Sequence, residues 1–178
     1  MRRIAVLLVA AVISGCGGGE EAGTGAIGTA AIVARCDSVG LAGERSYSLC
    51  KDGTFWVWVE GDGRDARPLD VRSPPGIGHW AWAALSPDGS TLLAQWIAEC
   101  EVPVAYFIPV DGGRMRAAVG VAVESIALGW TPGGEARVAL PKGVCGASGA
   151  SPGVYAVSID GQKRFLRPFD AARDRVHT

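Results

Sequence analysis

Very few residues of this 178-residue sequence could carry out acid–base or nucleophilic chemistry, because it contains only two histidines, His79 and His177. A hydrolase triad needs a histidine beside a serine and a carboxylate, and His79 with Ser86 and Asp88 is the set that the sequence offers. However, residues Ser86 to Gly89, Ser-Pro-Asp-Gly, form a favourable turn sequence. The turn by itself explains why the serine and the aspartate are present. We therefore predict no catalytic residues and no enzymatic activity.

The N-terminus has the pattern of an export signal. Two arginines precede an apolar run over residues 4–13, which is too short to span a bilayer. The run ends in Ile13-Ser14-Gly15-Cys16, which resembles the bacterial lipobox, where an aliphatic residue and two small residues precede the cysteine that receives the lipid. We therefore predict a lipoprotein signal peptide over residues 1–15 and a mature chain that begins at Cys16, acylated with diacylglyceryl and palmitate-type chains. An ordinary secretory signal is the alternative.

The sequence after the signal predicts a tethered protein outside the cytoplasm. Residues 16–28 are rich in glycine and would form a flexible tether with a reach of roughly 20 Å. No strand precedes this stretch and no lysine follows it, so a phosphate-binding loop is not expected. Without Arg2 and Arg3 the chain has 15 basic and 18 acidic residues, a net charge of −3, which argues against a nucleic-acid partner. We expect the protein to be anchored to a bacterial cell membrane and to face outside the cytoplasm.

Four cysteines remain if Cys16 carries the lipid: Cys36, Cys50, Cys100 and Cys145. An even number outside the cytoplasm indicates disulfides, and four cysteines allow three pairings. No two cysteines are separated by only two residues, so a zinc site lacks ligands at the usual spacing. We therefore predict two disulfides, no metal and no cofactor.

The composition favours an all-β domain. The chain contains 48% hydrophobic and 20% charged residues, together with 26 glycines and 10 prolines. Such a sequence can bury a core, and its glycine and proline turns separate short apolar runs. We predict one repeat domain over residues 29–170, followed by a tail over residues 171–178.

Three Asp-Gly turns recur at an interval of 49 residues, at Asp62-Gly63, Asp111-Gly112 and Asp160-Gly161. Each follows an apolar strand and precedes a short basic strand, a pattern typical of a β-hairpin. Because Asp-Gly tolerates positive φ at both central positions, we expect type I′ turns.

A second kind of turn lies earlier in each repeat. Ser86-Pro87-Asp88-Gly89 and Thr131-Pro132-Gly133-Gly134 place proline second and glycine fourth, as type I turns favour. These turns complete two units of four strands, over about residues 80–120 and 124–168. A less regular first unit is expected to have strands at residues 31–35, 45–49, 54–60 and 66–71.

The Ser-Pro-Asp-Gly turn followed by an Asp-Gly hairpin resembles the WD40-like repeat of the TolB C-terminal propeller, over about residues 45–168. The resemblance implies an all-β, propeller-like array of about three four-stranded antiparallel blades and, by analogy, a protein partner in the cell envelope. Three blades are fewer than the roughly four to eight that close a ring. The array is therefore either open or completed by a homodimer, and a β-sandwich built from the same hairpins is the alternative fold.

In such a propeller the loops between the second and third strands of the blades lie on one face. These loops contain Cys50, Cys100 and Cys145. Because Cys100 and Cys145 occupy matching positions in adjacent blades, we predict that they pair, which leaves Cys36 to pair with Cys50.

The same face contains the candidate binding residues, which are His79, Trp80, Glu99 and Glu101. Loops at one end of a rigid scaffold are common binding positions, although tryptophans in apolar strands more often belong to the core and loop carboxylates are often only solvated. We expect a non-catalytic binding or scaffold protein. The alternatives are an envelope hydrolase or carbohydrate-binding accessory protein that uses this face, and a degenerate propeller remnant.

Overall fold

Three four-stranded antiparallel sheets make up the fold. The computed structural model describes residues 36–59, 66–120, 123–142 and 151–175. Within these ranges it contains twelve strands and one short 3-10 helix, η1 (Glu99–Glu101), and no helix there is long and apolar enough to cross a membrane. The predicted all-β, propeller-like fold is confirmed.

Each sheet, here called a blade, is a meander in which strands pair in the order of the chain. The first blade consists of β1 (Cys36–Ala42), β2 (Arg45–Cys50), β3 (Phe55–Val59) and β4 (Arg67–Pro68). The second consists of β5 (Gly78–Leu85), β6 (Thr91–Ala98), β7 (Val102–Pro109) and β8 (Arg116–Ala117). The third consists of β9 (Ile126–Trp130), β10 (Ala136–Leu140), β11 (Gly153–Val157) and β12 (Lys163–Arg167).

The first strand is the one whose position differs most from the prediction. The stretch 31–35 lies outside the described residues, and the first described strand is Cys36–Ala42. Its sequence, Cys-Asp-Ser-Val-Gly-Leu-Ala, contains a register shift between Ser38 and Gly40. A bulge interrupts the regular alternation of apolar and polar residues, so the sequence pattern gave β1 no recognisable signal.

The positions of the described Asp-Gly turns are confirmed, but their predicted type I′ geometry is wrong. A type I′ turn needs positive φ at both central residues. Gly112 and Gly161 have φ of 90° and 92°, whereas the aspartate before each glycine does not lie in the positive region. In the third blade the Gly161 N–H donates to the Ser158 carbonyl at 2.8 Å. The turn therefore closes over four residues with one left-handed glycine at its end. Asp62-Gly63 lies outside the described residues.

The second blade is buried on both faces, which distinguishes this stack of sheets from the alternative β-sandwich. Leu92 and Leu93 are neighbours in β6 and both are 0% exposed, one in each inter-blade core. Toward the first blade, the Trp80 ring packs edge-on against Phe55 at 5.6 Å between centroids. Toward the third blade, Phe107 stacks with Trp130 at 5.8 Å. A sheet covered on both sides is the environment of a propeller blade.

The beginning of the predicted tail folds back onto the third blade. Asp174 is 2% exposed and accepts a 2.8 Å hydrogen bond from Nη1 of Arg167 in β12. The Asp170 N–H donates to the same carboxylate at 3.0 Å. A buried carboxylate is stable when it is paired and hydrogen-bonded in this way, so residues 170–174 form a closed turn against the last strand.

Candidate functional site

An open cleft between the first and second blades brings together three of the four predicted binding residues. It has a volume of about 510 Å³. Its lining residues are Asp37, Leu49, Cys50, Lys51, His79, Trp80, Ala81, Ile97 and Glu101. The predicted residues His79, Trp80 and Glu101 are among them, and Glu99 is not.

The cleft exists because two neighbouring edge strands touch at one end and separate at the other. A methyl group on Gly89 would lie 2.3 Å from Cβ of Ala42, at the end of β1. A methyl group on Gly40 would lie 2.7 Å from Cβ of Leu85, at the end of β5. The opposite ends of these strands, near Asp37 and His79, line the cleft. The two blades thus enclose a wedge that opens beside the loops.

A disulfide fixes one wall of the wedge. Cys36, the first residue of β1, is bonded to Cys50, the last residue of β2, and the two face each other in the strand register. The predicted Cys36–Cys50 bond is therefore confirmed. Since Cys50 itself lines the cleft, the bond holds β1 and β2 together at the rim of the cleft.

Charges of both signs surround an apolar floor. Lys51 and His79 lie on the same cleft as Asp37 and Glu101, and all four residues are exposed. Leu49 and Ile97 supply apolar surface below them. A few polar groups around an apolar floor are typical of binding pockets, because burial supplies affinity while the charges fix orientation.

His79 is not part of a hydrolase triad with Ser86 and Asp88. It lies at the start of β5, whereas Ser86 follows the end of the strand, so about 20 Å of extended chain separates them. The Ser86 hydroxyl donates to Asp88 Oδ1 at 2.6 Å and accepts from the Thr91 N–H at 3.0 Å. These bonds close the turn, as the sequence predicted for these residues.

Trp80 forms the inner wall of the cleft and is only 6% exposed. Its ring also lies edge-on to Trp96 and Tyr106, with centroids 5.0 and 5.8 Å away. Because Trp80 is buried among these aromatic rings, it offers no free ring face for stacking on a sugar. Its contribution is a rigid apolar surface.

The loop between β6 and β7 has an unusual backbone at Cys100 and Glu101, with φ of 65° and 59°. Non-glycine residues seldom adopt this conformation, so two in succession direct the chain sharply. The Glu99 N–H donates to the Ile77 carbonyl at 3.0 Å, which ties the loop to the connector before β5. This geometry carries Glu101 to the cleft.

Cys100 is exposed and forms no disulfide with any other cysteine in the described part of the chain. Its predicted partner, Cys145, lies outside the described residues, so the Cys100–Cys145 bond stays a prediction. In the part of the chain that the structure describes, no three His, Cys, Asp or Glu residues are grouped closely enough to hold a metal ion.

Two charged residues of the cleft, Asp37 and Lys51, are absent from the sequence-based candidates. Lys51 belongs to Lys51-Asp52-Gly53, which has the composition of an ordinary turn. Asp37 lies in the strand that the sequence pattern misplaced. The sequence offered one signal, which is that Asp37 follows Cys36 and Lys51 follows Cys50. A disulfide between those cysteines places Asp37 and Lys51 at the same rim of the cleft.

Comparison with known proteins supports the architecture alone. No family model matches the chain, and no curated protein matches it. The crystal structure of the tricorn protease, a protein that contains β-propellers, is similar to 75% of this chain with a TM-score of 0.51 and 18% sequence identity. The chain spans 13% of that protein's length. At this identity the likeness shows the fold, which is that of an all-β, propeller-like domain.

Proposed function

We propose that this protein is a lipid-anchored binding protein on the outer side of a bacterial cell membrane, that it holds its ligand in the cleft, and that it does not catalyse a reaction. The observation that carries the proposal is the convergence of Lys51, His79 and Glu101 on one open cleft with an apolar floor. The N-terminal pattern supports the anchor, and the TolB-like turns support a protein partner by analogy.

The chemistry of the cleft favours a peptide segment of a partner protein as the ligand. A peptide presents apolar side chains together with charges of both signs, and it can place an apolar residue on Leu49 and Ile97. Its basic groups would face Asp37 and Glu101, and its acidic groups would face Lys51. Complementary charges across an interface contribute to specificity and to the rate of association.

The anchor is tested by the Cys16→Ser variant. We expect this variant to leave the membrane fraction, or to keep its signal peptide, because serine cannot carry the thioether-linked lipid. Intact mass should show the lipid on the wild-type protein and none on the variant. Unchanged membrane anchoring, with no lipid on Cys16, would refute the lipoprotein assignment and would leave the cleft unaffected.

The cleft is tested by photo-crosslinking of the full chain in the cells that produce it. A photoreactive residue in place of Glu101 should give a discrete adduct, and the same residue in place of exposed Gln162, on a turn of the third blade, should not. The Lys51→Glu variant should lower the adduct yield about fivefold, the effect of losing about 1 kcal/mol. Equal adducts from both positions would contradict the proposal, and so would no adduct from either.

An envelope hydrolase is the second candidate, because His79 and Glu101 share one cleft and could act as general base and general acid. Turnover of a chromogenic ester such as p-nitrophenyl acetate tests it. A rate that disappears in both His79→Ala and Glu101→Gln would establish the hydrolase and overturn the binding role. A hydrolysis rate that neither variant changes would exclude a hydrolase that uses His79 and Glu101. A carbohydrate-binding role has less support, because Trp80 is packed into the core.

A further inference from the structure

We infer that a second, separate site binds a phosphate-class anion between the first and second blades. It is a cavity of about 470 Å³ where the connector that follows β4 meets the loop between β7 and β8. Its lining residues are Asp70, Val71, Arg72, Ile108, Gly112, Gly113, Arg114 and Met115. None of them lines the cleft, so this inference does not depend on the proposed function.

The cavity holds two arginines whose charges have no partner in the described part of the chain. Arg72 and Arg114 are exposed, and neither makes a hydrogen bond, an ion pair or a ring contact there. Two other described arginines have interaction partners. Arg116 lies over the Phe107 ring at 5.4 Å, and Arg164 pairs with Glu135 at 2.6 Å.

Arg72 lines the cavity from the connector after β4, and Arg114 lines it from the loop between β7 and β8. Like charges on one cavity repel each other, and an anion bound between them offsets that repulsion. The planar guanidinium donates two parallel hydrogen bonds that match the spacing of phosphate oxygens. Val71, Ile108 and Met115 make part of the lining apolar. The paired hydrogen-bond donors of arginine favour a phosphate group, which accepts both bonds, over a simple halide ion.

The side chains, rather than the backbone, must supply the recognition. The Gly113 N–H already donates to Asp111 Oδ1 at 3.2 Å, and the Gly112 N–H donates to the Pro109 carbonyl at 3.4 Å. Asp70 is the one carboxylate in the lining, against the two arginines. The cavity therefore keeps a net positive charge, and Asp70 weakens rather than assists the binding of an anion.

The test measures the reaction of individual arginines with phenylglyoxal by mass spectrometry on the purified full chain. Inorganic phosphate should slow the modification of Arg72 and Arg114, and should leave exposed Arg45 on β2 unchanged. Chloride at the same ionic strength is the control. Three results would overturn the site. Chloride could slow the modification of Arg72 and Arg114 as much as phosphate does, or phosphate could slow the modification of Arg45 equally. The third is that no phosphate source slows the modification of either Arg72 or Arg114.

Two vesicle samples identify the source of the phosphate. Slowing by phosphatidylglycerol vesicles but not by inorganic phosphate would assign the site to lipid headgroups. Slowing by inorganic phosphate alone would assign it to a soluble phosphate compound. Phosphatidylcholine vesicles control for membrane contact without net lipid charge.

Single variants provide a second, independent measurement. Arg72→Ala should raise the Kd for the effective phosphate source about tenfold, because each charge-assisted hydrogen bond that is lost costs about 1.5 kcal/mol or more. Asp70→Asn should lower the Kd, since it removes the repelling carboxylate. Both residues are exposed, so the fold should tolerate both changes. An unchanged Kd in Arg72→Ala would contradict the assignment.

Discussion

The backbone N–H of Ala127 on the third blade donates a 2.7 Å hydrogen bond to Oε1 of Gln95 on the second blade. Gln95 is 1% exposed, and its Nε2 donates to the Ser125 carbonyl at 3.2 Å. One amide side chain therefore satisfies two backbone groups of the next sheet inside an otherwise apolar interface. Polar groups buried in this way must be paired, because an unpaired group loses its hydration without compensation.

Replacement of Gln95 by leucine should destabilise the protein by about 3 kcal/mol, because it leaves the Ala127 N–H and the Ser125 carbonyl buried without this partner. Gln162→Leu is the matched control. Its hydrogen bond to Asp160 is exposed, so the change should be within about 0.5 kcal/mol. Urea unfolding measures both variants. Equal stability of the two would contradict a structural role for Gln95.

Gly89 is expected to be the least replaceable glycine of the turns, and Gly134 is its matched control. Both have positive φ, 72° and 80°, at the same position of their turns. A methyl group on Gly134 meets nothing within 4 Å, so Gly134→Ala should cost about 1 kcal/mol from the backbone alone. Gly89→Ala must also displace Ala42 and should cost about 3 kcal/mol. Thermal unfolding of the two variants should show this difference, and equal losses would refute the close contact between the first two blades.

The observed Cys36–Cys50 bond and the predicted Cys100–Cys145 bond can be examined in one experiment, peptide mapping under non-reducing conditions. We expect a linked pair that contains Cys36 and Cys50, and a second that contains Cys100 and Cys145. Removing the first bond by changing both cysteines to serine should cost about 3 kcal/mol, as expected for closing a loop of this size; the two cysteines are 14 residues apart. A free thiol on Cys100 in the exported protein would disprove the second bond and leave the first intact.

The ion pair between Arg167 and Asp174 should make stability depend on pH in the acid range. The hydrogen bond from Arg167 holds the pKa of Asp174 below its usual value. A carboxylate with a lower pKa in the folded state stabilises the protein above its unfolded pKa of about 3.9. That contribution is lost as the pH falls through the folded-state pKa.

Asp174→Asn should therefore lower the Tm at pH 7, and its difference from wild type should shrink as the pH falls below about 4. Glu44→Gln, a change of an exposed acid in the first turn, should have little effect at either pH. A difference between Asp174→Asn and wild type that stays constant through the acid range would show that the carboxylate charge is not involved.

The sequence predicted the second and third blades well because their turns contain proline and glycine, which are typical of turns and uncommon inside strands. Proline and glycine at fixed turn positions located the two four-stranded units, predicted at about residues 80–120 and 124–168, to within a few residues. The first blade has no such turn before β2, and its register shift obscures β1. Gln95 could not be identified as buried from sequence, because a polar residue in a strand normally indicates an exposed face.

The cleft was predictable only in part. A loop face could be inferred from the repeat, and His79, Trp80 and Glu101 do lie together. The presence of Lys51 and Asp37 in the cleft depends on how two sheets diverge, which is a property of blade packing. The sequence indicates only that both residues lie beside cysteines that can pair. The cavity lined by Arg72 and Arg114 also depends on blade packing. Those residues are 42 positions apart in the sequence and line one cavity only after the first two blades have packed.

The meander within each blade also sets the order in which an exported chain can assemble. Within each blade every strand pairs with its sequence neighbours. The described side-chain hydrogen bonds from the second blade toward the third join residues 20, 30, 32 and 46 positions apart. Such short-range topology permits rapid folding. If the protein is exported as proposed, its N-terminal part leaves the translocation pore first, and Cys36 and Cys50 can be oxidised before the second blade has appeared. We therefore expect the first blade, which forms one wall of the cleft, to fold before the second blade, which forms the other wall. Assembly of the proposed binding surface would then follow the direction of secretion.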